Sequence, residues 1–247
     1  MEELYQRNRI YLTEKEQELI KTYPILIAGC GIGSNIAECA LRFGFENLTI
    51  IDGDYVEASN LNRQNYISDD ILFYKSERLF KRLKEINPEA DIKFHTEYIN
   101  HQNVHSLIKD HKAAINALDF TSDIPLYFDQ LCQEKNIPIL HPYNLGWAGL
   151  VTVLTSDSEN LNSVSTNFNE LEMVKFIISD LKSKRKNYKW LEDILDTYIS
   201  EEVKTSPPQL SVASWILGGI CTHLLYLMAT QKGIKKFPDY YINSVLL

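Results

Sequence analysis

The most restrictive feature of the chain is an apolar run that ends in glycines and passes straight into a helical pattern, YPILIAGCGIGSNIAECALRFGF at 23–45. "ILIA" has no polar alternation, as expected of a strand buried on both faces. Gly29, Gly31 and Gly33 follow, where backbone must turn tightly and can approach a phosphate at a helix N-terminus. Ile36, Ala40 and Phe43 then share one helical face. A strand covered on both sides demands flanking helices and parallel neighbours, which commits the chain to an open α/β sheet.

The next segments keep that alternation. "NLTIID" reads as a strand, and "YKSERLFKRLKEINPEA" as an amphipathic helix pairing Leu79 with Leu83 and stopped at Asn87-Pro88. "DIKFHTEY", "KAAINALD", "IPILHPYN" and "AGLVTVLT" read as strands, with helices over "NVHSLIKD" and "IPLYFDQLCQEKN". The expectation is a Rossmann-like, mostly parallel sheet flanked by helices, with ligands beyond the carboxyl ends of the strands. The rhythm breaks over 156–206, a polar loop followed by a charged helical tract, which reads as a helical insertion. A C-terminal helix and the strand "YYINSVLL" close the fold, and residues 1–247 are expected to form a single domain.

Composition excludes more than it selects. A net charge of -8 argues against nucleic acid, which demands a basic face. Cys30, Cys39, Cys132 and Cys221 form no CxxC pair, so neither a zinc site nor a disulfide framework is expected, and free thiols suit a cytoplasmic protein. The N-terminus lacks the apolar core of a secretion signal. Leu210 to Thr230 contains no Asp, Glu, Lys or Arg and is long enough to span a membrane. Its Ser211, Ser214, Thr222 and His223 favour a buried core or interface helix instead.

The chemistry is concentrated in "LTIIDGDYVEASNLNRQNY" at 48–66. Asp52 ends the second strand, where a carboxylate binds ribose in dinucleotide sites. A nicotinamide-dependent oxidoreductase would need nothing more, yet Asn60, Arg63 and Gln64 follow at once. Amides and a cation at that place suit a triphosphate whose charge must be managed during nucleotidyl transfer. Lys75 opens the next helix, with the same potential, and Asp119 ends the "INALD" strand, placed to hold magnesium against phosphate oxygens. Asp123 is a rival for that role.

"DGDYVEASNLNRQ" resembles the signature of the E1-like adenylating enzymes, the superfamily of ThiF, MoeB and the ubiquitin-activating enzymes. The resemblance covers 5–155 in order and 207–247 more loosely. It implies ATP- and magnesium-dependent adenylation of a carboxylate, commonly the C-terminus of a small ubiquitin-like or sulfur-carrier protein or of a peptide, by a homodimer. By position, Asp52 would hold the ribose, with Asp54 in the same acidic pair. Asn60, Arg63 and Gln64 would contact phosphates, Lys75 would stabilise their charge, and Asp119 would bind magnesium. "RNRI" resembles the stretch whose second arginine reaches into the partner's site, which gives Arg9 that role. Three departures stand out: G-x-G-x-G replaces the longer glycine loop, the zinc-binding CxxC pairs are absent, and no cysteine lies between Val151 and Ile220. The first leaves open a nucleotide-binding module without turnover. The last argues against a covalent carrier step on this chain.

Overall fold

The structure, a computed structural model, describes residues 3–203 and 206–247. Seven strands form one sheet: β1 (Ile25–Ala28), β2 (Asn47–Ile51), β3 (Asp91–His95), β4 (Ala113–Asn116), β5 (Ile139–Asn144), β6 (Gly149–Leu154) and β7 (Tyr240–Asn243), in the order β3-β2-β1-β4-β5-β6-β7. The first five run parallel, while β6 and β7 pair antiparallel. The sheet is thus mostly parallel, with an antiparallel margin that follows from the short 145–148 connection between β5 and β6. So short a link returns the chain antiparallel, because a parallel crossover needs about a dozen residues.

Helices cover both faces. α1 (Glu14–Lys21), α2 (Ile32–Phe43), α3 (Lys75–Ile86) and α8 (Ser211–Ala229) pack on one side, where Ile25, Ile27, Leu48 and Ile50 meet Ile36, Leu79 and Leu217. The one-turn α4 (Val104–Leu107), α5 (Ile124–Glu134), α6 (Glu170–Ser183) and α7 (Lys189–Ser200) cover the other, where Leu26, Ala28 and Ala114 meet Phe128, Ile177 and Leu195. Alternate residues of β1 therefore feed two separate cores, the physical reason its sequence lacks polar alternation.

The apolar α8 meets the length and composition of a membrane span. It nevertheless packs over α2, β5 and β6, burying Leu217, Leu224 and Leu225. A different stripe, with Val212, Trp215 and Gly219, faces outward. The inserted helices are likewise integral: Met173, Ile177, Leu181, Leu191 and Leu195 complete the second core.

A buried carboxylate ties the first core to the signature segment. Glu38 on α2 accepts from Arg42 Nε at 2.8 Å, from Arg82 Nε of α3, and from Asn65 Nδ2 at 2.6 Å. Burial would raise the Glu38 carboxyl, but the two guanidinium groups outweigh it and hold the group below the usual carboxylate range. A depressed folded-state pKa contributes stability above the unfolded value and loses it as pH falls through the folded one. Glu38→Gln is expected to cost about 1–2 kcal/mol at neutral pH, with the gap to wild type closing as pH drops below about 4. Chemical denaturation across pH 3–7 checks this.

Candidate functional site

At the carboxyl ends of β1, β2, β4 and β5 the loops part to leave a cleft of about 1140 Å³. Its first wall is the glycine turn. Gly29 sits at φ +90°, and a Cβ there would lie 2.4 Å from the Ala117 carbonyl oxygen, so only glycine fits. Gly31 caps α2, whose first residue, Ile32, opens onto the cleft; the helix N-terminus therefore points its free N–H groups inward. Gly33 lies outside the cleft, under Ile27, where it allows close helix-to-strand packing.

Asp52 organises this wall. Its Oδ2 accepts from the Cys30 N–H at 2.6 Å and its Oδ1 from the Asp54 N–H at 2.8 Å, so one carboxylate binds the turns after β1 and after β2 together. Burial pushes the Asp52 carboxyl up, while Lys75 and the two N–H donors pull it back toward ionisation. Asp54 accepts from Lys75 Nζ at 3.0 Å and from the Tyr98 hydroxyl at 2.8 Å; these contacts hold it below the usual range despite burial. Lys75, the first residue of α3, is itself buried, so its ammonium depends on Asp54 for compensation.

The signature segment is latched onto the turn. Asn65 N–H donates to Ser34 Oγ, and the Tyr66 hydroxyl donates to the Cys30 carbonyl at 2.8 Å. Asn60 is buried, its Oδ1 accepting from Glu57 N–H. Gln64 lies against Gly31, with its Oε1 shut from solvent and without a protein partner. That oxygen is an acceptor, so a donor group of a bound ligand is what would satisfy it. Arg63 donates from Nε to Gln209 Oε1 at 2.8 Å and from Nη1 to Ser59 O and Asn62 Oδ1. Both Nη2 protons remain for a ligand.

Asp119 lines the cleft beyond β4, whereas its rival Asp123 lies outside it, 3.2 Å from His101 Nε2. Among the described residues no three His, Cys, Asp or Glu side chains gather into a metal site. Magnesium typically needs only one or two carboxylates beside substrate phosphates, so Asp119 is compatible with that mode. Arg9 does not line the cleft of its own chain; its Nη1 donates to Gln6 O. Burial raises the thiols of Cys30, Cys39, Cys132 and Cys221, as expected of cysteines packed as small hydrophobes.

Four contributors escape the sequence reading. The Gln209 clamp sits on a strap, 206–210, that crosses the cleft and is held where Asn144 Nδ2 donates to Leu210 O at 2.9 Å. Glu170 Oε1 accepts from Phe120 N–H, pinning the insertion beside Asp119. His141, on β5, lines the cleft and donates from Nε2 to Asp129 at 2.7 Å; Asn116 Nδ2 also donates to Asp129. An ionisable residue inside the apolar run "IPILHPYN" was the available signal for that pair.

Because Asp52 joins two turns, Asp52→Ala is expected to lower stability by about 1–3 kcal/mol, leaving two partly buried N–H groups without their partner, as well as weakening nucleotide binding. Thermal melts with and without ATP separate the two effects.

Comparison with known proteins completes the picture. The sulfur carrier protein ThiS adenylyltransferase of Bacillus subtilis (strain 168) is 30% identical over 146 residues, 58% of this chain and 43% of that protein. The SAMP-activating enzyme E1 of Haloferax volcanii is 24% identical over 147 residues, 58% of this chain and 53% of its own length. The chain thus spans about half the length of these curated relatives. Among solved structures, PaaA superposes with a TM-score of 0.66 at 23% identity, covering 94% of this chain and 72% of that one. Escherichia coli MccB with ATP gives 0.67 at 15% identity, covering 93% and 65%. These structural likenesses show the fold. The ThiF family model matches residues 5–239, and the chain belongs to that family.

Proposed function

We propose that residues 1–247 form one adenylation domain that uses ATP and magnesium to activate a substrate carboxylate as an acyl adenylate. The observation that carries this reading is that Lys75, Arg63, Asp119 and the glycine turn line one cleft. A dinucleotide site has no use for that collection, while a departing pyrophosphate does. Family membership and relatives named as adenylyltransferases support the same chemistry.

In this reading Asp52 and Asp54 face the ribose, and the α2 N-terminus and the Gln64 Nε2 protons face the phosphates. The substrate carboxylate, already ionised at neutral pH, forms a bond to the α-phosphorus. The bond from that phosphorus to the bridging oxygen breaks, and pyrophosphate leaves with the electron pair. Arg63 offers Nη2, and Lys75 turns from Asp54 toward the phosphates; both meet charge that grows as pyrophosphate departs. Magnesium held by Asp119 would neutralise phosphate charge.

The partner is a small ubiquitin-like or sulfur-carrier protein, as for the named relatives, or a peptide; MccB has been solved with MccA. The enzyme acts as a cytoplasmic homodimer in which Arg9 enters the partner's cleft. Support for the dimer comes from Ile10 and Tyr11, 94% and 84% exposed beside Arg9, and from the outward Val212 and Trp215 of α8.

Arg63→Ala is expected to reduce ATP–pyrophosphate exchange about 100-fold or more. Arg9→Ala should be equally inactive alone, yet mixing the two inactive variants should restore exchange, since each mixed dimer rebuilds one complete site. A wild-type rate for Arg63→Ala rejects the adenylating role, and no recovery on mixing rejects the shared site.

A further inference from the structure

Away from Arg63 and Lys75 the cleft changes character. Leu171 and Val174 of α6, Ile194 of α7 and Phe120 after β4 face it as half-buried apolar side chains. The charged residues at this end are the carboxylates of Asp119 and of Glu170, whose Oε1 accepts from the Phe120 N–H. The wall is preformed rather than loose. Met173 and Ile177 of α6 enter the second core, Leu195 of α7 joins it from the cleft wall, and Asp180 ties α6 to the Tyr240 hydroxyl on β7. The cleft volume of about 1140 Å³ exceeds the roughly 300–1,000 Å³ of most single-ligand sites, leaving room for an acyl group beside a nucleotide.

We infer that the inserted helices build an acyl subsite selecting a peptide carboxylate whose terminal or adjacent residue bears a bulky apolar side chain. This rests on the adenylating reading above and names the substrate class. The physical reason is complementarity. A diglycine tail carries no side chain and would leave Leu171, Val174, Ile194 and Phe120 facing water, whereas a leucine-sized group would cover them. An acidic terminus would meet the like charges of Glu170 and Asp119 and is disfavoured. Ile194 and Val174 are therefore specificity-determining residues.

The test uses two stable acyl-adenylate mimics, sulfamoyl adenosines carrying a glycyl-glycyl or an alanyl-leucyl acyl group, titrated calorimetrically into the full chain. The alanyl-leucyl mimic is expected to bind about tenfold tighter or more, the discrimination that a matched apolar pocket supplies. Ile194→Ser, and independently Val174→Ser, should shrink that ratio to about twofold while ATP affinity stays close to wild type. Equal or tighter binding of the diglycyl mimic overturns the proposal and points to a ubiquitin-like tail. So does a ratio unchanged in both variants. If neither mimic nor ATP binds, the adenylating reading fails, a result distinguishable from loss of acyl preference alone.

Discussion

The site depends on a single carboxylate. Asp52, at the end of β2, accepts backbone N–H donors from the turn after β1 and from its own following turn, so the glycine loop and the acidic pair hold each other in place. Its backbone carbonyl also receives the Ser76 hydroxyl of α3. The same residue thus positions α2's N-terminus, Asp54 and, through Asp54, the buried ammonium of Lys75. Such a carboxylate must be shielded enough to aim its two oxygens and yet stay ionised, a balance that burial and the nearby Lys75 set against each other. Preorganisation of this kind spends folding stability on the geometry of the site.

The two sides of the sheet divide the labour. On one, α2, α3 and α8 pack together, and Glu38 fastens the signature segment to both α2 and α3. On the other, the insertion completes the core and walls the cleft with apolar side chains. The 206–210 strap spans the two, gripped by Arg63 through Gln209 and by Asn144 through Leu210. Arg63 is therefore also a tether between the signature segment and the 206–210 strap.

Legibility in the sequence followed the range of the interactions. The strand–turn–helix at Ile25 to Phe43 was readable because buried strands, tight turns and helical faces each impose local residue choices. The ordered set from Asp52 to Gln64 was readable because its members sit in one contiguous loop. Asp119 could be placed at the cleft because it follows a strand's carboxyl end, although β4 stops at Asn116, three residues before it. What stayed hidden arises from long-range packing. Gln209 meets Arg63 across most of the chain, and Glu170 reaches Phe120 from the start of an inserted helix. His141 and Asp129 become a pair only once α5 lies against β5. The insertion read as a charged appendage because its charges are its outward face; the apolar residues that join the second core are spaced among them.

The most direct test of the central claim, that this cleft manages a reacting triphosphate rather than a dinucleotide, is a calorimetric comparison of ATP with NAD in magnesium-containing buffer. The account predicts ATP binding about tenfold tighter or more, because NAD cannot present a terminal phosphate chain to Lys75 and Arg63. Binding of NAD as tight as that of ATP would contradict it.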